Sequence, residues 1–250
     1  MVLRVGLTYN LKKQVSEEER LPEDYYVEYD DEETVNAIAD ALRKGGCRVT
    51  KIEADEEVCG KLTRLKPDIV FNIAEGLRGE SRESHVPAIL EMLGIPYTGS
   101  GPLTLAIALN KALTHQILSI NGVPSPIFQV FKSSEEPLDK PLDFPLVVKP
   151  LCEGSSKGVR ASSLVRDENS LKKQVAWVIE TYKQPAIVEE FLPGREFTAS
   201  LIGNEKPIVL PIVEILLEKL PHGASPLYSY EAKWVWDVPE SPLDLSLIHI

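Results

Sequence analysis

Leu3, Val5 and Leu7 alternate with Arg4, Gly6 and Thr8 as the inward face of a strand does. After an acidic stretch, Val35, Ile38, Ala39 and Leu42 recur at helical spacing and stop at Gly45 and Gly46, which predicts a helix with a glycine terminus. Further strands are predicted around Val49 and Ile52 and over Asp68-Ile69-Val70-Phe71-Asn72-Ile73, the latter apolar enough to be buried on both faces. Strands that alternate with helices favour a parallel sheet. Val86, Ile89, Leu90 and Leu93 form another apolar helical stripe closed by Gly94, and Ile95-Pro96-Tyr97 runs into the turn Thr98-Gly99-Ser100-Gly101. A first lobe is expected to end there, at about residue 100.

Pro102 follows that turn as a proline does at the first position of a helix, and one helical stretch is predicted through Leu105, Leu109, Leu113 and Ile117, carrying Lys111 and stopping at Asn121-Gly122. Val123-Pro124-Ser125-Pro126 cannot continue a helix, and strand, loop and strand should follow. From Phe144 the pattern changes: an apolar strand through Val147 and Val148 to Lys149-Pro150, a Gly/Ser loop, then Val159. Asp167 is a credible N-cap for an amphipathic helix built on Leu171, Val175, Val178, Ile179 and Tyr182. The segments from Ile187 to Leu192, Glu196 to Ile202 and Pro207 to Leu216, separated by Pro193-Gly194 and Gly203-Asn204, read as an antiparallel meander.

With 43% hydrophobic residues in 250, the chain is no disordered tail, and its length suits one large domain or two smaller ones with substantial cores. Its 27 basic and 38 acidic residues leave a net charge of −11 with no run of Lys and Arg, so a nucleic-acid partner is not expected. A local anion site remains open to it, because a few lysines and aligned backbone N–H groups outweigh a distant, screened charge. Cys47, Cys59 and Cys152 are odd in number and lack paired metal-ligand spacing, which points to a reducing cytoplasm rather than a disulfide framework. The N-terminus turns polar too early for a signal-peptide core, and no apolar run approaches the ~20 residues of a membrane span, so a soluble protein without a membrane partner is expected. His85, His115, His222 and His249 show no His-x-x-x-His spacing and suit surface or packing roles better than a metal site.

Three segments could carry chemistry. In Lys149-Pro150-Leu151-Cys152-Glu153-Gly154-Ser155-Ser156-Lys157-Gly158, a lysine at a strand end precedes a loop whose ammonium and backbone N–H groups could receive a polyphosphate. A surface hairpin whose glycines merely turn the chain is the alternative, and neither a Walker loop nor a G-x-G-x-x-G fingerprint is present. In Ile187-Val188-Glu189-Glu190-Phe191-Leu192, carboxylates sit within an apolar stretch, where they are costly to bury unless a donor such as an adenine amino group or a ribose hydroxyl reaches them. Taken alone, solvent-facing glutamates on an edge strand would explain them better. In Tyr228-Ser229-Tyr230-Glu231-Ala232-Lys233-Trp234-Val235-Trp236, a lysine lies among aromatics that either shield a charged reaction from water or pack on the core from an amphipathic strand.

Together with Gly94-Ile95-Pro96-Tyr97-Thr98-Gly99-Ser100-Gly101, Lys111 and Glu196-Phe197-Thr198, the order and spacing of these segments from about Phe71 to Lys233 resemble the ATP-grasp superfamily, most closely its D-alanine–D-alanine ligase branch. The resemblance implies an α/β fold: a Rossmann-like N-terminal lobe over residues 1–100, an ATP-grasp central lobe over 101–185 and an incomplete C-terminal lobe over 186–250. It implies that Lys111 and Lys149 hold the α and β phosphates of ATP and that the loop carrying Glu153, Gly154, Ser155 and Ser156 folds over the triphosphate. Glu189 would accept from the adenine amino group, the backbone at Glu190 and Leu192 would read the adenine edge beside Phe191, and Glu196 would bind ribose. Lys233 would reach the γ-phosphate, with Ser155 and Glu80 as further catalytic residues. On this reading the lysines Lys111, Lys149 and Lys233 converge on one cleft facing Glu189 and Glu196.

The implied activity is an ATP-dependent carboxylate–amine ligase of peptidoglycan precursor synthesis acting through an acyl phosphate, with ATP and Mg²⁺ or Mn²⁺ as cofactors, small amino acids as substrates and a homodimer as the assembly. A ligase for other amino acids or peptides and a non-catalytic nucleotide-binding protein are the alternatives. The sequence departs from the branch at several points. The Gly-Gly-x-Ser segment after the first strand is replaced by Leu7-Thr8-Tyr9-Asn10-Leu11-Lys12-Lys13. Glu75 stands for the histidine of His-Gly-x-x-Gly-Glu while Gly76, Gly79 and Glu80 match, and Trp234 stands for a tyrosine. The late Asp and Glu-x-Asn metal ligands are not found before Ile250, and Asp237, Glu240 and Asp244 do not replace them. No metal ligand is therefore expected in this chain. The ending Ser246-Leu247-Ile248-His249-Ile250 does not continue the family's sequence, so a truncated reading frame with a foreign tail, and an inactive fragment, are expected.

Overall fold

The computed structural model describes residues 2–13, 21–139, 141–236 and 245–248. It splits into two units, Met1–Ser125 with Leu151–Gly154, and Pro126–Pro150 with Ser155–Ile250. Asp237, Glu240, Asp244, His249 and Ile250 lie outside the described residues.

In the first unit, β1 (Arg4–Tyr9) runs between β2 (Arg48–Glu53) and β3 (Ile69–Asn72), and both pairings are parallel, as the alternation of strands and helices predicts. One face packs Leu7 and Tyr9 against Val35 and Ala39 of α1 (Glu32–Lys44), with Phe71 beside them. The preceding residue of β3, Val70, points to the other face and packs with Ile52, Leu62 of α2 (Val58–Leu65) and Val86 and Leu90 of α3 (His85–Met92). The start of α1 is local chemistry: the Asp31 carboxylate accepts from the Thr34 N–H at 2.7 Å, and Gly45 closes the helix onto the Ala41 carbonyl.

The single helix predicted after Pro102 is two, α4 (Pro102–Leu109) and α5 (Lys111–Ile120), bent by 104°. Asn110 makes the break. Its backbone is extended, at φ −87° and ψ 99°, and its side-chain oxygen accepts from the Leu113 N–H at 3.1 Å to cap the second helix. The short amide competes with the helical backbone for its own hydrogen bonds, and the apolar stripe carries no information about that competition. Among the described residues no single helix is long and apolar enough to cross a membrane.

The second unit centres on an antiparallel sheet ordered β4-β7-β5-β6, from β4 (Phe128–Phe131), β5 (Leu146–Pro150), β6 (Leu164–Val165) and β7 (Ala186–Glu190). The strand expected at Val159 falls at Leu164–Val165 instead. Helix α6 (Glu168–Tyr182) starts at Asp167, which with Ser170 forms a reciprocal capping pair. Its Leu171, Val175 and Val178 pack on Leu146, Val148, Ala186 and Val188, the even-numbered positions of the two central strands.

The expected three-strand meander is corrected in one respect. The segment at Ile187 belongs to this central sheet, while β8 (Glu196–Thr198), β9 (Leu201–Ile202), β10 (Ile208–Val209) and β11 (Ile212–Ile215) form a separate antiparallel hairpin, with β12 (Leu245–Ile248) beyond β11. Thr198 pairs with Val213 but Leu201 pairs with Val209, so residues 199–200 face residues 210–212 and one extra residue bulges out. Pro211, which cannot donate to a ladder, lies in that bulge.

Candidate active site

Within the second unit, the odd-numbered positions of β5 and β7 share the sheet face opposite α6. Val147 lies directly across from Glu189, which places Lys149 on the diagonal, within reach of a long side chain. The Lys149 ammonium meets the Glu189 carboxylate at 2.6 Å. Glu189 is 4% exposed and stands on an inner strand, so the edge-strand explanation of its carboxylate does not hold. A carboxylate removed from water in this way is held by its partner, and Lys149, about a quarter exposed, still offers part of its charge outward.

The strand continues as a hinge. The Glu190 N–H donates to the Ile127 carbonyl at 3.0 Å, the Phe191 N–H to the Pro145 carbonyl, and the Glu190 carboxylate accepts from the Ile127 N–H at 3.2 Å. Leu192 leaves the sheet with 64% of its surface exposed. Glu196 follows on β8. It is open to solvent at its surface, yet the neighbouring protein mass raises its carboxyl pKa, and the Lys149 ammonium pulls against that rise. Lys149 and Glu189 are thus brought together, with Glu196 within reach of the Lys149 charge.

The second half of the glycine and serine loop and the aromatic motif meet in the same unit. Ser155 and Ser156 adopt left-handed backbone, at φ 49° and 61°, conformations that cost energy for residues with a Cβ. Both are held from the motif: the Trp234 indole N–H donates to the Ser155 carbonyl at 2.9 Å, and the Ser156 hydroxyl donates to the Tyr228 carbonyl at 2.7 Å. The Tyr230 N–H donates to the Val159 carbonyl at 2.7 Å. Trp234 makes its loop contact through its indole N–H. The motif is not a strand but a π-helical turn, Ala232–Trp236, on which the Lys233 ammonium lies 5.2 Å from the centre of the Trp234 ring.

Lys111 and the first half of the loop belong to the first unit. Lys111 opens α5, and its ammonium donates to the Glu153 carbonyl. Its backbone N–H donates to the Leu151 carbonyl at 3.2 Å. Glu80 is exposed, in the turn before a short 3-10 segment. The buried charges nearby are others that the sequence pattern did not single out, Arg82 and Glu28, paired at 2.6 Å. Their 54-residue separation leaves no local signal. Glu75, in the position of the expected histidine, is half-buried. Burial pushes its carboxyl up to about 8, with repulsion from Glu28 and Glu83 adding to the rise and Arg82 opposing it. Cys152 is buried as well, and its thiol is pushed up to about 11, chiefly by burial, so it is no nucleophile at neutral pH.

Residues 117–245 match the family model described as D-ala D-ala ligase C-terminus. The chain belongs to the D-Ala–D-Ala ligase family. An uncharacterized protein of Sinorhizobium fredii, y4sG, is 37% identical over 208 residues, covering 80% of this chain and 60% of the relative. The D-alanine–D-alanine ligase of Carboxydothermus hydrogenoformans is 36% identical over 209 residues, covering 80% of this chain and 63% of the relative. The chain thus spans about 60% of the length of these curated relatives. The crystal structure of D-alanine–D-alanine ligase from Bacillus anthracis complexed with ATP superposes with a TM-score of 0.65 at 22% identity, over 100% of this chain and 72% of that one. The fold is accordingly the α/β ATP-grasp fold of the D-Ala–D-Ala ligase family.

Proposed function

We propose that the protein is an ATP-dependent carboxylate–amine ligase that works as D-alanine–D-alanine ligases do, making a peptidoglycan precursor in the cytoplasm. The observation that carries this reading is the Lys149–Glu189 pair, a buried carboxylate on an inner strand next to a partly exposed ammonium at the mouth of a Gly/Ser loop. In this proposal Glu189 accepts from the adenine amino group, Glu190 and Leu192 meet the adenine edge beside Phe191, Glu196 takes the ribose, and Lys111 and Lys149 offset phosphate charge under the loop of Glu153, Gly154, Ser155 and Ser156. Lys233 reaches the γ-phosphate, with Ser155 and Glu80 near the reacting groups. ATP supplies the activation: a substrate carboxylate oxygen attacks the γ-phosphorus, ADP leaves, and the amine nitrogen of the second substrate displaces phosphate from the acyl carbon to form the amide. Positioning and charge neutralisation by the lysines supply most of what such a transfer needs from a protein.

Among the described residues no group of three or more His, Cys, Asp or Glu side chains is placed to hold a metal ion. Mg²⁺ or Mn²⁺ would enter with the nucleotide's phosphates and offset their charge. Three lobes, residues 1–100, 101–185 and 186–250, and a homodimer complete the proposal. A second reading, a ligase for other amino acids or peptides, is favoured by Glu75: a half-buried carboxyl whose pKa is pushed up to about 8 replaces a histidine. Release of ADP by the intact protein across a panel of D- and L-amino acids tests both. Turnover that requires D-alanine supports the first, turnover only without D-alanine the second. Tight nucleotide binding with no ADP release from any pair would leave a non-catalytic nucleotide-binding protein.

A further inference from the structure

Residues 151–154, the first half of the phosphate loop, are anchored one by one within the first unit. The Leu151 carbonyl accepts from the Lys111 backbone N–H at 3.2 Å, the Cys152 carbonyl from the Arg82 guanidinium at 3.0 Å, and the Glu153 carbonyl from the Lys111 ammonium. The Glu153 carboxylate lies 3.0 Å from the same guanidinium, and the Gly154 N–H donates to Glu28 at 3.0 Å. Glu28 and Arg82 are joined at 2.6 Å, and their side chains are only 2% and 7% exposed. Two residues far apart in the chain therefore tie down the backbone on which the Lys111 ammonium rests.

We propose that Arg82 and Glu28 form a clasp that positions the fixed end of the phosphate loop and, through the Glu153 carbonyl, the ammonium of Lys111. This rests on the ATP-ligase reading and adds to it two positioning residues that touch neither nucleotide nor substrate. Arginine is suited to the place because one nitrogen of its planar fork donates to the Cys152 carbonyl and another to Glu28 while its charge also faces Glu153, where a lysine would offer a single point of charge. Gly154 is suited to its place by space: a Cβ there would stand 2.8 Å from a Glu28 carboxylate oxygen. Gly154 has no positive φ, so alanine at that position disturbs the clasp and not the backbone conformation. Beyond it, Ser155 and Ser156 in left-handed conformation begin the half of the loop that the clasp does not hold.

The test is ATP affinity by titration calorimetry, together with amide hydrogen exchange over residues 151–158, on the full chain and its Arg82→Lys, Glu28→Gln, Gly154→Ala and Lys149→Ala variants. Arg82→Lys keeps the charge and loses the fork. Glu28→Gln keeps the size and loses the ion pair, so at least one variant should remain folded, as judged by circular dichroism. The expected result is a loss of ATP affinity of roughly tenfold in each clasp variant, with faster exchange confined to residues 151–154. A Glu28→Gln and Gly154→Ala double variant should lose little more than the worse single one, since both act on one contact. Wild-type affinity in folded clasp variants, or Arg82→Lys indistinguishable from wild type in both readouts, overturns the clasp. If Lys149→Ala also leaves ATP affinity unchanged, the nucleotide reading itself fails. If Lys149→Ala weakens binding while the clasp variants do not, only the clasp fails.

Discussion

Replacing Glu75 by glutamine should stabilise the protein at pH 8 and leave it nearly unchanged at pH 5. The Glu75 backbone is pinned, because the buried Asn10 side chain accepts from the N–H groups of Glu75 and Gly76 at 2.9 and 3.0 Å, and the Tyr29 hydroxyl donates to the Gly76 carbonyl at 2.8 Å. These bonds fix the main chain at Glu75 and with it the point from which the carboxyl enters the fold. Burial first, then repulsion from Glu28, Glu83 and Asp30 against the attraction of Arg82, raises it from its ordinary 4.5 to about 8. Between those values the unfolded chain has released the proton and the folded one still holds it. The folded state therefore binds more protons, and stability falls as pH rises through that window. A rise of that size at 1.36 kcal/mol per pH unit corresponds to roughly 4–5 kcal/mol at full ionisation, which the remaining solvent contact reduces to a few kcal/mol. At ~2–4 °C per kcal/mol for a chain of this length, the variant should melt roughly 5–10 °C above wild type at pH 8. Thermal or urea melts of both proteins at pH 5 and pH 8 read this directly, the difference reporting Glu75 together with its coupling to Glu83 and Asp30, whose carboxyls are also raised. An equal gap between the two proteins at both pH values would refute the argument.

Two further outcomes follow from the central sheet. Lys149→Ala removes a charge-assisted contact to phosphate and the ion pair made with the buried Glu189 carboxylate, so ATP affinity should drop about tenfold or more and stability should fall. Lys149→Ala with Glu189→Gln should recover the stability and not the affinity, as calorimetry and urea melts would show. Leu146→Ala opens a cavity in the core shared by β5, Phe131 and α6, where Leu146 is fully buried, and should cost about 2–5 kcal/mol in urea unfolding.

Much of the architecture was legible because its causes are local. Asp31, Asp167 and Gly45 act through hydrogen bonds to residues three or four positions away, so the ends of α1 and the start of α6 follow from the residues themselves. The alternation of strands and helices likewise fixed the parallel pairing of β1 with β2 and β3. The candidate site was legible as a set of motifs in order, since Lys149, Glu189 and Lys233 each sit within a recognisable run.

Other features arise only from partners distant in the chain. That β7 lies between β4 and β5 is a choice among antiparallel partners which its own residues do not encode, and that choice alone turns Glu189 from a plausible edge carboxylate into a buried one facing Lys149. The break at Asn110 depends on one amide's competition with an otherwise continuous apolar stripe. Arg82 and Glu28 look in the sequence like two charges among many acidic and basic neighbours, and only folding withdraws both from water. The separation has one physical origin: hydrogen-bond geometry within a turn is set by neighbours, whereas burial, and the cost or use of a charge that it determines, is set by whatever the rest of the chain packs on top.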